Sequence, residues 1–136
     1  MQKPRKCKSC QIEYTPKTFA QPRCQKCTFQ RLKDKQKNYK PLKAKRNPEQ
    51  EKVNKEVRKW DKGKPCISCN KITKLEAGHF IPISKSQKLR YNKDNIHGQC
   101  FYCNRILYGN IVNYRYGLIN RYGIEFVERL EKADKI

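Results

Sequence analysis

The chain has 136 residues and a formal net charge of +21, from 33 Lys and Arg against 12 Asp and Glu. That length accommodates one domain, or one domain with a small appended module, and its apolar runs of only a few residues exclude a membrane-spanning helix. So large an excess of one sign repels itself and points to a polyanion as partner, with nucleic acid favoured because aromatic residues are interleaved with the basic ones. The first six residues, Met1 to Lys6, are basic, but no apolar segment follows them. A signal peptide is therefore not expected, and an intracellular, cytoplasmic protein is.

The eight cysteines fall into four CxxC pairs: Cys7/Cys10, Cys24/Cys27, Cys66/Cys69 and Cys100/Cys103. In a reducing compartment such pairs are not a disulfide framework. Two pairs together supply the four thiolates of a closed tetrahedral zinc site, so two structural zinc ions are expected. Residues 1–28 carry the first set, with a spacer of thirteen residues (11–23) between its pairs. Tyr14-Thr15-Pro16 and Gln21-Pro22-Arg23 read as turns around short strands, the pattern of a zinc ribbon or knuckle. A module this small needs its metal to fold.

Residues 29–64 read as a basic helical linker. Arg31 to Asn38 and Glu49 to Trp60 lack glycine and favour helix, with Pro41 and Pro48 as interruptions. Val53, Val57 and Trp60 recur at i, i+4 and i+7, a narrow stripe for docking on the next module. Residues 65–136 are the main domain. Lys74 to Ile83 reads as an extended hairpin segment interrupted near Gly78, Asn92 to Asn95 as a turn, and Cys100 to Leu107 as a short helix. Ile111, Tyr114, Leu118, Ile119 and Tyr122 have helical spacing, with Gly123 as the terminating glycine. Phe126, Val127 and Leu130 mark a last short helix. The Tyr114/Leu118/Tyr122 stripe is expected in the core.

The second cysteine set encloses thirty residues (70–99) that contain Gly78-His79-Phe80 and Asp94-Asn95-Ile96-His97-Gly98, and Asn104 follows its last cysteine. This order of CxxC, His, Asn, CxxC, Asn resembles the HNH or His-Me finger nucleases. Cys66-Ile67-Ser68-Cys69, Ala77-Gly78-His79-Phe80, Asn95-Ile96-His97-Gly98-Gln99-Cys100, Cys103-Asn104-Arg105, Gly109-Asn110 and Asn113-Tyr114-Arg115 resemble, more narrowly, the phage NinG/Rap recombination endonuclease family. The resemblance covers roughly residues 50–133.

It implies an α+β fold in which a zinc-bound ββα-metal finger with C-terminal helices follows the zinc ribbon and the basic linker. It implies a metal-dependent endonuclease acting on branched DNA such as Holliday junctions or D-loops. It implies His79 as the base that activates water, Asn95 as the residue that orients the loop, and Asn104 as a ligand of a catalytic Mg²⁺ or Mn²⁺. Histidine suits the base role because its ordinary pKa lies near working pH. A homodimer is expected where two coordinated nicks are needed.

One departure stands out. Many HNH enzymes carry a metal-binding acid or histidine directly before the base, and here that residue is Gly78. Glu76 replaces it only if the strand bulges at Gly78, because residues three apart on an unbroken strand face opposite ways. His97 has three readings: a second metal ligand, a DNA contact, or a structural donor near the zinc knuckle. Arg90, Arg105 and Arg115 are candidate phosphate contacts, since a guanidinium forks onto phosphate oxygens. Two other readings remain: a non-catalytic zinc protein that binds nucleic acid, and a sequence-specific nicking or homing enzyme.

Overall fold

The computed structural model describes residues 2–18, 20–40 and 47–135. It is a mixed α+β structure of two compact units, Met1–Leu42 and Lys43–Ile136. No helix among the described residues is long and apolar enough to cross a membrane.

In the first unit, strands β1 (Arg5–Lys6) and β2 (Glu13–Tyr14) pair antiparallel around the Cys7–Cys10 knuckle. Arg5 fastens this hairpin by donating to the Gln21 carbonyl at 2.7 Å, and the Tyr14 hydroxyl donates to the same oxygen. Helix α1 runs over Gln25–Lys37, with Cys24 as its N-cap. It starts six residues before the stretch read as helical from sequence, because the second CxxC of this unit opens it. The helix break expected at Pro41 lies outside the described residues.

The second unit opens with helix α2 (Pro48–Trp60). The Asn47 side chain accepts from Gln50 N–H, Pro48 occupies the first turn, and Glu49 and Glu51 face the positive end of the dipole. The helix packs on strands β3 (Leu75–His79) and β4 (Ile96–Cys100). Val57 is buried as expected, but Trp60 is 55% exposed, with the Lys93 ammonium 4.6 Å from its ring centroid. Asp61, at the helix end, takes the Gly98 N–H at 2.6 Å and the Lys64 ammonium at 2.9 Å, tying α2 to β4.

β3 and β4 pair antiparallel in unbroken register from Leu75↔Cys100 to His79↔Ile96. The interruption expected near Gly78 is absent, and the partner strand is supplied from beyond residue 83. A 3₁₀ turn (Lys93–Asn95) leads into β4. The short helix expected over residues 100–107 is a π-helical segment, Tyr102–Ile106, because Cys100 is still in β4.

Helices α3 (Ile111–Tyr122) and α4 (Ile124–Lys135) complete the unit. Gly123, at φ +88°, ends α3 in the left-handed region. Tyr114 and Leu118 join Ile67, Phe80, Ile81, Leu89, Val127 and Leu130 in the core, while Tyr122 stays 42% exposed. Gly117 sets how closely α3 approaches the Cys66 knuckle, since a Cβ there would lie 1.7 Å from the Ile67 carbonyl oxygen. Gly117→Ala must therefore push α3 off the knuckle. We expect a loss of at least 1–3 kcal/mol in urea unfolding, the usual cost of overpacking; unchanged stability would contradict this packing.

Candidate active site and metal centres

Each cysteine set begins with the same turn. Gln11 N–H donates to the Cys7 carbonyl and Asn70 N–H to the Cys66 carbonyl, while Cys7 N–H and Cys66 N–H reach forward to Ile12 and Lys71. Gln11 and Asn70, each following the second cysteine, both have φ near +60°. The second pair also enters alike. Cys24 N–H donates to Cys7 Sγ and Cys100 N–H to Cys66 Sγ, each at 3.3 Å. The result is four sulfurs within 4.8 Å of one another in each unit.

Sulfur separations of 3.8 Å (Cys10–Cys24) and 3.7 Å (Cys69–Cys100) match the edge of a tetrahedron of ~2.3 Å Zn–S bonds, about 3.8 Å. Burial pushes the Cys7 thiol up, but amides of Cys24, Cys10 and Ser9 outweigh it and bring it to about 6. Amides of Cys100, Cys69 and Ser68 likewise lower Cys66 against its burial. Their neighbours go the other way. Hydrogen bonds to the sulfurs of Cys10 and Cys24 hold Cys27 up at about 12, and burial with the Cys66 and Cys100 charges raises Cys103. One thiolate per set forms readily and opposes the rest, so four thiolates require a cation among them. Both sets fit zinc, and because all four ligands of each are cysteines they fit a closed, structural ion.

The residues expected at the catalytic centre divide between the two faces of β3. His79, at the strand end, places Nε2 2.9 Å from the Arg90 carbonyl. Burial lowers its pKa, partly offset by that carbonyl, so the ring is neutral near pH 7. The Nε2–H tautomer then donates to Arg90 and leaves the Nδ1 lone pair to accept a proton. Asn95 is fully buried beneath this loop. Its Oδ1 takes the Ile81 N–H at 2.8 Å, and its Nδ2 donates to the carbonyls of Ile81 and Leu89 at 3.0 and 3.2 Å. Phe80 N–H donates to the Asn95 carbonyl. The loop from residue 80 to 92 is thus clamped at both ends by one amide.

On the opposite face, Glu76 Oε2 accepts from Asn104 Nδ2 at 2.8 Å and from Arg105 Nε at 2.9 Å. No bulge is needed to bring Glu76 to Asn104, because Asn104 lies over the Glu76–Gly78 face. A Cβ at position 78 would fall 3.2 Å from Asn104 Oδ1 and 2.3 Å from Gln99 Oε1. Gln99 therefore fills the space a side chain at 78 would take. It is fully buried: Nε2 donates to Ser68 Oγ at 2.8 Å and to the Gly109 carbonyl at 2.5 Å, and Oε1 has no hydrogen-bond partner among the described residues. Sequence reasoning missed Gln99, and its one signal was the position directly before Cys100, cross-strand from Glu76.

His97 sits elsewhere. Its ring is enclosed by Tyr114, Tyr122 and Phe126, with centroids 6.1, 5.2 and 6.4 Å away, and Nδ1 is 3.4 Å from the Tyr114 hydroxyl. Among the described residues, only the two cysteine sets bring three or more His, Cys, Asp or Glu ligand atoms together. Of the candidate phosphate contacts, Arg90 donates to Gln50 Oε1 at 3.1 Å, Arg105 pairs with Glu76, and Arg115 makes a two-pronged pair with Glu131 at 2.7 and 3.2 Å.

Elemental analysis of purified protein should find two zinc ions per chain, one for each four-cysteine set, and Cys7→Ser and Cys66→Ser should each remove one; a metal-free folded protein would refute both sites. Titration of His97, which burial lowers to about 4, leads to a second expectation. A depressed histidine gives its full stabilisation above its unfolded pKa of about 6.5 and loses it as pH falls toward 4. The difference is about 3 kcal/mol. The stability of His97→Gln should therefore fall less steeply than that of the native protein between those limits, and parallel curves would show that burial does not hold the ring neutral.

Residues 26–136 match the family model described as bacteriophage lambda NinG protein. The chain is 43% identical over 84 residues to protein ninG of Escherichia phage 933W, covering 60% of this chain and 42% of that one. It is likewise 43% identical over 84 residues to protein ninG of Escherichia phage lambda, covering 60% of this chain and 41% of that one. Against protein ninG of Salmonella phage P22 it is 41% identical over 88 residues, 63% of this chain and 43% of that one. The match thus spans about two-fifths of each relative's length, and no solved structure matches the chain. With a family model matched across the whole second unit and part of the first, the chain belongs to the bacteriophage lambda NinG protein family.

Proposed function

We propose that this protein is a metal-dependent DNA endonuclease of the HNH type, in which β3, β4 and the π-helical segment serve as the ββα-metal finger. The observation that carries this reading is His79: a neutral imidazole at a strand end, its Nε2 anchored to Arg90 and its loop clamped by the buried Asn95. That arrangement leaves Nδ1 to act as a general base. The base accepts a proton from water as the water attacks phosphorus, and the bond to the leaving 3′ oxygen breaks in line.

Glu76 and Asn104 provide carboxylate and amide oxygens, the hard donors that suit Mg²⁺ or Mn²⁺. Such an ion would neutralise charge at the leaving oxygen. Arg105, which pairs with Glu76, stands where it can also meet a phosphate. The excess of 33 basic over 12 acidic residues supports DNA as the substrate. Branched DNA, a role in phage recombination and action as a homodimer rest on the family resemblance.

The pairing of Glu76 with Arg105 favours a second reading, because a carboxylate already neutralised by an arginine does not require a metal. On that reading the protein binds nucleic acid without cutting it. Incubating the protein with a labelled four-way junction and a matched linear duplex, in Mg²⁺, Mn²⁺ or EDTA, separates the two. We expect metal-dependent cleavage of the junction that falls by about 10²–10⁴ in His79→Ala, the usual size of a general-base contribution. Binding without cleavage in either metal would overturn the nuclease and leave the binding protein.

A further inference from the structure

Charge is not shared evenly between the units. Residues 1–42 hold twelve Lys and Arg against two carboxylates, Glu13 and Asp34, whereas residues 43–136 hold twenty-one against ten. The smaller unit has about twice the excess positive charge per residue. Much of it lies on α1, whose thirteen residues include five basic ones and a single acid.

α1 buries none of its residues. A helix of this length is marginal in water, and most helices gain their stability from a buried face. Its start is held through Cys24 and Cys27, members of the first four-cysteine set. Helical spacing puts Lys26, Lys33 and Lys37 on one line, at i, i+7 and i+11. All three are exposed. Phe29, 55% exposed, borders the line, and the Lys33 ammonium stands 4.6 Å from its ring centroid. Asp34 is about 60° or more away around the helix from each of the three lysines, and its carboxylate is engaged by Gln30 Nε2 at 2.9 Å. Arg31 carries charge to another side of the helix, and Phe29 and the half-buried Leu32 are the large apolar side chains among its thirteen residues.

We infer that α1 is a phosphate-backbone anchor: the Lys26/Lys33/Lys37 line lies along one strand of duplex DNA. The inference rests on the reading of the protein as DNA-directed and adds the place where the first unit grips. From residue 26 to 37 the line is about 16 Å long at ~1.5 Å per residue, the axial rise of about five nucleotides at ~3.4 Å each. No group on it reads base edges, so the contact is indifferent to sequence and driven by counterion release.

The test uses the full zinc-loaded chain and a fluorescent 30-bp duplex, with affinity measured across a salt series. In Lys26→Ala/Lys33→Ala/Lys37→Ala the slope of log K against log [salt] should fall by about 2–3, at ~0.9 for each phosphate no longer neutralised. Lys71→Ala/Lys74→Ala/Lys88→Ala, which removes three exposed lysines of the second unit, should change it by less than about 1. Alanine has the higher helix propensity, so weaker binding by the first variant does not reflect an unfolded helix; unchanged zinc content checks the knuckle. Native-like slope in the α1 variant, or equal losses in both variants, would overturn the anchor. Absence of salt-dependent binding by the native chain would instead overturn the DNA reading beneath it.

Discussion

Four thiols crowded within 4.8 Å of one another are a poor arrangement without a cation. Backbone amides pull Cys7 and Cys66 down against their burial, while hydrogen bonds to the sulfurs of Cys10 and Cys24 hold Cys27 up and burial, with the neighbouring sulfurs, raises Cys103. The backbone favours the charged form at one sulfur of each set, through amides that donate to it. A tetrahedral dication completes what those amides begin. In the second unit the consequences extend beyond the metal. The knuckle presents Ile67, whose N–H bonds the Gly98 carbonyl of β4 and whose own carbonyl lies against Gly117 of α3. The sulfur cluster therefore sets the distance between sheet and helix, and with it the position of Tyr114, which donates to the Gly78 carbonyl at 2.8 Å.

That chain of contacts ends at the strand carrying the candidate site. Gly78 and His79 are neighbours on an unbroken strand, so one faces Gln99 and Asn104 and the other faces the loop held by Asn95. Gly78 has no room for a side chain because Gln99 already fills the space. The buried amide thus accounts for the missing acid: restoring a carboxylate at 78 would collide with Gln99, while Glu76, two residues earlier on the same face, reaches Asn104 without a bulge. Glu76 and His79 sit on opposite sides of one unbroken strand.

Much of this was legible in the sequence because its signals are local. CxxC spacing announced both four-sulfur clusters, and 3.6-residue periodicity announced α3 and α4. The buried Tyr114 and Leu118 follow from that periodicity, and the left-handed Gly123 from its position after the last apolar residue. What was not legible depends on pairing at a distance. β4 is buried throughout, yet Ile96-His97-Gly98-Gln99-Cys100 shows no alternation from which a strand could be read. Without β4 the continuity of β3 through glycine could not be foreseen. For His97 the sequence left ligand, DNA contact and structural donor all open. Only the rings of Tyr114, Tyr122 and Phe126, contributed by helices far along the chain, make it a core residue.

The same distinction applies to the charges. A count of basic residues says that a polyanion is sought but not which of them meet it. The structure divides them by partner. In the second unit Arg58, Lys64, Lys85, Lys93, Arg105 and Arg115 are each matched to a carboxylate, with Asp61 the most buried of those acids. Such pairs lower the local field and hold elements in place. The first unit has only two carboxylates with which to do the same, and its Arg5 and Arg23 are occupied in closing the knuckle through the Gln21 carbonyl and Ser9 Oγ. Of the first unit's twelve basic residues, five lie on α1, a helix that buries none of its residues.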